Sequence, residues 1–267
     1  MKNNIRTLVE KLSQVSPSPE AEIDSILKTE FGISLIKFRT LGEQERILEI
    51  LARIVDERIR TGKPFQYITG HALFMDEIFL VNSNVLIPRA ETEVLVETAS
   101  HFIKQKSLKR VVDVGTGSGV VAITLKKRHP DIQVVATDIS SEALKIARKN
   151  ALIHRTNVKF VQCNLLSCLS GPFDLIVSNP PYIGKDDPYE EYRKFEPEIA
   201  LSGGEKGYEL SLELINQAMN RLSKSGYIII EINPYVVNEM MGKISGFNTQ
   251  IIKDLNGVDR VMVLWMT

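Results

Sequence analysis

Apolar positions recur at helical spacing from Ile5 to about residue 70, then gather into short continuous runs separated by further helical stretches. Ile5, Leu8, Val9, Leu12 and Val15 form the first stripe, which Ser16-Pro17-Ser18-Pro19 interrupts. Ile23, Ile26, Leu27 and Phe31 share one face of a second helix that stops at Gly32. A longer third helix carries Ile47, Leu48, Leu51, Ile54, Val55 and Ile59 and ends near Gly62-Lys63-Pro64. Three amphipathic helices with short connections predict a small helical bundle over residues 1–70.

Residues 71–90 change character. Phe74, Ile78, Phe79 and Val81 precede Asn82-Ser83-Asn84, and Val85-Leu86-Ile87-Pro88-Arg89 follow. Two apolar runs around an Asn/Ser turn predict a β-hairpin linker. Glu91 and Glu93 then open a helix, where the positive end of its dipole suits acidic residues. From Arg110 strands alternate with helices: Val111–Val114, Val134–Thr137, Val158–Val161, Leu175–Val177 and Tyr227–Glu231 are the apolar runs. The runs 249–253 and 260–264 read as a closing antiparallel pair. This alternation predicts an α/β domain over residues 91–267, built on a doubly wound, mostly parallel sheet.

Composition narrows the setting. A hydrophobic content of 43% and a charged content of 25% are those of a soluble globular protein. Lys and Arg number 33 against 33 Asp and Glu, so no net field holds a polyanion, and stable nucleic-acid binding is not expected. No run of 18 apolar residues is present, and Met1-Lys2-Asn3-Asn4 leads into a polar-faced helix rather than a signal peptide. Cys163 and Cys168 have neither the spacing nor the neighbours of a metal site. They are expected to be buried thiols of a cytoplasmic protein that needs no metal.

Candidate chemistry lies at the ends of the predicted strands. Asp113 leads into Gly115-Thr116-Gly117-Ser118-Gly119, where glycines let the backbone turn tightly against a ligand. The spacing is not that of the dinucleotide fingerprint. The next strand ends in Asp138, an acid placed to accept hydrogen bonds from both hydroxyls of a ribose. Asn164 and Leu165 follow the third strand, where an adenine would lie if Asp138 holds the ribose. The fourth strand runs into Asn179-Pro180-Pro181-Tyr182. Asn179 brings an amide donor and acceptor, Tyr182 a flat face with a polar tip, and the prolines remove two backbone donors. A planar NH2-bearing group can be held there by Asn179 Oδ1 and the Pro180 carbonyl.

Together these stretches resemble class I S-adenosylmethionine-dependent methyltransferases that act on amide or amine nitrogen. Residues 64–70 (PFQYITG), 86–93 (LIPRAETE) and 178–183 (SNPPYI) narrow the resemblance, as do Glu196-Pro197, Ala200-Leu201 and Gly203-Gly204. The chain is similar to the bacterial peptide chain release factor N5-glutamine methyltransferases, the HemK/PrmC family, over nearly its whole length and least over residues 1–60. The resemblance implies a seven-stranded class I methyltransferase sheet and S-adenosylmethionine as cofactor. It implies methylation of the Gly-Gly-Gln glutamine of class I release factors, with the helical domain holding that substrate. By position, Gly115 to Gly119, Asp138, Asn164, Leu165 and Asn179 would bind the cofactor. Asn179, Pro180, Pro181 and Tyr182 would bind substrate, with Asn179, Pro180 and Tyr182 catalytic. Asn164 stands where an acid is common, Asn233-Pro234 where a glycine is usual, and Ala90 where a proline is common. Three alternatives carry the same motifs: a ribosomal-protein glutamine methyltransferase, an adenine amino-methyltransferase acting on a flipped DNA base, and a non-enzymatic docking protein.

Overall fold

A computed structural model describes residues 4–40, 44–187 and 194–267. The chain divides into two compact units, Met1–Ser83 and Asn84–Thr267.

The first unit holds helices α1 (Ile5–Leu12), α2 (Pro19–Phe31), α3 (Leu35–Thr40), α4 (Glu45–Thr61) and α5 (Phe65–Thr69). Its ends follow from local chemistry. Asn4 Oδ1 accepts from Thr7 N at 2.9 Å to cap α1, and Pro19 sits where α2 has no use for its missing N–H. Gly32 and Gly62 close α2 and α4 with φ of 66° and 70°, a region in which glycine pays no Cβ penalty. Leu8, Leu12, Ile23, Ile26, Leu27, Phe38, Leu51 and Val55 are almost fully buried and form one core. The first helix stops at Leu12 rather than Val15, and the short α3 and α5 have too few turns to show a periodic stripe.

A hairpin of β1 (His71–Phe74) and β2 (Glu77–Leu80) completes this unit. Its turn is Met75-Asp76, with φ of 48° and 62°, and not Asn82–Asn84 as the residue types predict. Pairing of Phe74 with Glu77 leaves only two residues between the strands, and such tight connections favour positive φ at both.

In the second unit, α6 (Glu91–Lys106) precedes a seven-stranded sheet. Its strands are β3 (Arg110–Val114), β4 (Gln133–Asp138), β5 (Lys159–Gln162), β6 (Phe173–Ser178), β9 (Leu222–Glu231), β10 (Phe247–Lys253) and β11 (Asp259–Met266). They lie in the order β10-β11-β9-β6-β3-β4-β5, with β11 antiparallel to both of its neighbours and the other pairs parallel. Strand β6 is buried almost throughout, as a central parallel strand must be, which is why Leu175-Ile176-Val177 shows no alternation. Helices α7 (Val120–Arg128), α8 (Ser141–Ile153), α9 (Glu209–Met219) and α10 (Val237–Met241) connect the strands. Leu222 belongs to β9 rather than to the preceding helix, which ends at Met219. A small parallel pair, β7 (Ile183–Gly184) and β8 (Ser202–Gly204), lies after β6.

Chain order reverses at β3, which has β4 on one side and β6 on the other. Such a point opens a crevice at the carboxyl ends of parallel strands.

The cysteines depart from the sequence expectation. Cys163 is buried, but Cys168 is exposed, and the structure pairs the two sulfurs in a disulfide across a Cα separation of 5.9 Å. Their five-residue spacing folds back on itself after β5, where Cys168 N also approaches Cys163 Sγ.

Candidate active site

Register places the candidate residues on one rim of the sheet. Val114 is level with Thr137 on β4 and with Ser178 on β6, and Ser178 is level with Ile230 on β9. The next residue of each strand, or the first of its loop, is Gly115, Asp138, Asn179 and Glu231.

Between β3 and α7 the chain makes a tight loop in which Gly115, Gly117 and Gly119 take φ of 70°, 54° and 87°. A Cβ on Gly115 or Gly117 would meet no heavy atom within 4 Å, so these backbones line open space. Gly119 serves packing instead, since a Cβ there would lie 2.9 Å from Ile123 and 3.2 Å from Ala147. Thr116 Oγ1 donates to Asp113 Oδ2 at 2.6 Å, and Ala122 N donates to the same oxygen at 3.2 Å. Burial pushes the Asp113 carboxyl up to about 7 against these hydrogen bonds. Ser118 O accepts from the buried Asn150 Nδ2 at 2.8 Å, which ties the loop to α8.

Asp138 faces this loop. Its Oδ2 accepts from Gly117 N and its Oδ1 from Ser140 N, both at 2.8 Å. Burial raises its pKa, and backbone donors oppose the rise. A carboxylate anchored through both oxygens keeps remaining lone pairs for a ligand hydroxyl. Leu165 has a positive φ of 50°, and its carbonyl accepts from Thr137 Oγ1 at 3.1 Å. Asn164 is exposed.

These residues line a cavity of about 520 Å³, a size typical of small-molecule sites. Gly115, Thr116, Gly117, Ser118, Asp138, Asn164, Leu165, Asn179, Pro180 and Pro181 all reach it. A second cavity of about 450 Å³ is lined by Arg89, Glu91, Tyr182, Asn233, Tyr235 and Arg260. Leu86, Asn179, Pro180, Pro181 and Ala200 line both, so the two cavities share the Asn-Pro-Pro stretch as a wall.

That wall is held from several sides. Asn179 Nδ2 donates to Thr92 Oγ1 at 2.9 Å, and Tyr182 OH donates to Glu231 Oε1 at 3.2 Å. Thr92 Oγ1 donates in turn to Glu231 Oε2 at 2.8 Å. Burial first, then the charge of Glu231, holds the Tyr182 phenol far above its ordinary value. Asn233 Nδ2 donates to Tyr182 O at 3.2 Å, and its Oδ1 accepts from Tyr235 N at 3.0 Å. The residue standing in place of the usual glycine therefore braces the same loop. Ala90 precedes α6 without capping it through a side chain. Buried Glu196 accepts from Ile87 N at 2.9 Å and pairs with Arg89, joining the stretch before α6 to the loop after β7.

Sequence reasoning missed Thr92, Glu231 and Glu196 as parts of the site. Glu231 ends an apolar strand, and only the pairing of that strand with the Asn179 strand marks it as part of the site. Thr92 sits in the first turn of a helix, where threonine is unremarkable.

Comparison with known proteins gives concordant matches. A family profile described as "Methyltransferase small domain" matches residues 90–192. The chain is 38% identical over 259 residues to "Release factor glutamine methyltransferase" of Koribacter versatilis, covering 93% of this chain and 91% of that protein. It is 35% identical over 250 residues to the protein of the same name from Deinococcus radiodurans, covering 91% and 90% respectively. Among solved structures, a ribosomal protein L11 methylase from Lactobacillus delbrueckii subsp. bulgaricus superposes with a TM-score of 0.52 at 25% identity. That match covers 67% of this chain and 80% of the methylase.

Proposed function

The chain belongs to the release factor glutamine methyltransferase family, and from that premise we propose that it methylates the side-chain amide of the Gly-Gly-Gln glutamine in class I peptide chain release factors. The observation that carries the reading is the shared wall of Asn179, Pro180 and Pro181 between a nucleoside-sized cavity and a second, open cavity. A donor molecule in one cavity and an acceptor in the other would meet there.

The first cavity fits S-adenosylmethionine. Gly115 and Gly117 leave the space a Cβ would restrict, and Asp138 offers a fixed carboxylate for the ribose hydroxyls. Thr116, Ser118, Asn164 and Leu165 also line it, with Leu165 supplying apolar cover and Asn164 an amide for the adenine edge. When bound, the cofactor supplies an electrophilic methyl group on a sulfonium.

The chain's own residues address the other difficulty, the weak nucleophilicity of an amide nitrogen whose lone pair is delocalised into its carbonyl. Asn179 spends its Nδ2 on Thr92, which leaves Oδ1 as the acceptor for a substrate N–H. The Pro180 carbonyl offers a second acceptor, and the Tyr182 ring a flat wall. Two acceptors orient the nitrogen and stabilise positive charge growing on it. The amide then releases one proton to water, so no strong base is required of the site. The helical unit would hold parts of the release factor remote from the glutamine, in the cytoplasm where translation ends.

Mass spectrometry of a release factor incubated with the protein and S-adenosylmethionine tests the reading. A single added methyl on the Gly-Gly-Gln glutamine is the expected result. An unmodified glutamine under conditions of measured cofactor binding would overturn it.

A further inference from the structure

Four side chains from three separate segments form one hydrogen-bond chain at the shared wall. It runs from Asn179 Nδ2 to Thr92 Oγ1, from Thr92 Oγ1 to Glu231 Oε2, and from Tyr182 OH to Glu231 Oε1. Thr92 is 3% exposed and Glu231 1%, so water does not substitute for these partners. Thr92 has one hydroxyl proton to give. Once that proton faces Glu231, only lone pairs face Asn179, and the Asn179 amide must present its NH2 to Thr92. Its Oδ1 is thereby directed away from Thr92.

We propose that Glu231 is a positioning residue for methyl transfer, fixing the Asn179 amide through Thr92 and the Tyr182 ring through its hydroxyl. The inference rests on the methyl-transfer reading above, which makes Asn179 Oδ1 the acceptor for the substrate amide. A carboxylate at the far end of the chain also polarises it in the useful direction, adding electron density at Oδ1 as charge grows on the acceptor nitrogen.

The ionised carboxylate is the form that does this. Protonated Glu231 can donate to Thr92, which frees the Thr92 proton to point at Asn179 and lets the amide turn over. Burial pushes Glu231 up to about 7, while hydrogen bonds from Thr92 and Tyr182 pull it down. The charged groups acting on it are Glu91, which raises it, and Arg260, which lowers it; Arg89 acts on the Tyr182 phenol. Turnover should therefore rise with pH through about 7.

The test uses the full chain, an intact release factor and S-adenosylmethionine, with kcat, KM and cofactor affinity followed from about pH 5.5 to 8.5. Glu231→Gln keeps the shape but must turn a donor toward Thr92 or Tyr182. It should lower kcat about 10- to 100-fold, leave cofactor affinity within about twofold, and abolish the rise near pH 7. Thr92→Val should give the same loss, and Thr92→Ser should recover most of the rate. A second readout needs no turnover: the 15N-labelled side-chain NH2 of Asn179 in the native protein should titrate near pH 7, and in Glu231→Gln it should not. A folded Glu231→Gln protein with native kcat and pH profile would overturn the proposal. So would an Asn179 amide signal indifferent to pH in the native protein. If the native protein leaves the glutamine unmethylated, the functional reading fails, and the amide titration still decides the positioning role.

Discussion

Gly203→Ala isolates the placement of the Asn-Pro-Pro-Tyr backbone from the chemistry of its side chains. Gly203 lies on β8, and its φ is one any residue adopts, so the cost of a Cβ is steric alone. That Cβ would stand 2.6 Å from Pro181 O and 2.8 Å from Tyr182 Cα, and would also press on Gly207 O. These are backbone atoms that cannot swing aside. Ordinary contact begins at 3.4 Å, so the Pro181 carbonyl must retreat by about 0.8 Å and Gly207 O by more, or β8 must move away from both. Overpacking of this kind costs about 1–3 kcal/mol of stability, a few degrees in Tm for a chain of this size. The larger effect falls on turnover, because misplacing a positioning group by about 1 Å can cost about 100-fold. We expect kcat on a release factor to fall about 10- to 100-fold, on the same basis. S-adenosylmethionine affinity by calorimetry should fall far less than kcat, since β8 reaches the cofactor cavity only through Ser202, whereas the nucleoside is held by the Gly115–Gly119 loop and Asp138 on other elements. A folded variant with native kcat would refute the reasoning, and so would a loss confined to cofactor binding.

Asp138→Asn turns one acceptor toward Gly117 N or Ser140 N into a donor and removes the charged partner of the ribose. S-adenosylmethionine affinity should fall about 10- to 100-fold by calorimetry, and an unchanged Kd would remove Asp138 from the site. Asn179→Ala should lose methyl transfer far more than it loses cofactor affinity; Tyr182→Phe, which keeps the ring and loses only the bond to Glu231, should be milder. Near-native turnover of Asn179→Ala would refute the amide-gripping scheme. Asp113 is held near 7 in the fold against 3.8 as its ordinary value, so the folded state binds the extra proton and stability falls as pH rises between those values. Asp113→Asn keeps the acceptor for Thr116 and Ala122 and should flatten that slope in urea midpoints; an unaltered slope would reassign it. Residues 84–267 expressed alone should bind S-adenosylmethionine, and should lose methylation of intact release factor far more than of a Gly-Gly-Gln peptide. Equal loss on both would make the first unit a structural cap.

Much of the fold was legible because its signals are local. The apolar run at Leu175–Val177 has to be a doubly covered strand, and the five-residue glycine loop has to follow a strand and open a helix. The hairpin went astray for a physical reason. Asn82-Ser83-Asn84 has the letters of a turn, whereas Met75-Asp76 does not, yet register decides between them. Turning at Met75-Asp76 pairs Ala72 with Phe79 and puts both in the interior, where they are 2% and 0% exposed. Burial on one face outweighs the cost of two positive φ values. The cysteine pair is not legible, because a spacing of five residues says nothing about whether the chain folds back to bring an exposed Cys168 onto a buried Cys163.

The candidate site was legible only to the depth of its motifs. Asn179 can be picked out by type and position, but an asparagine amide has two faces, and which one meets a substrate is set elsewhere. Here it is set by Thr92, 87 residues earlier in the chain, and by Glu231 beyond it, 139 residues from Thr92. Neither residue is unusual where it stands. A threonine in the first turn of a helix is common, and a glutamate at the end of a strand reads as a surface residue until the strand order is known. Once β9 lies beside β6 with Ile230 level with Ser178, Glu231 must stand beside Asn179 at the sheet rim. A carboxylate there is 1% exposed and must find hydrogen bonds, and the donors available are the hydroxyls of Thr92 and Tyr182. The direction of those two bonds then leaves the Asn179 amide one favourable orientation. Sheet topology, rather than any local motif, thus fixes the acceptor that a substrate amide would meet.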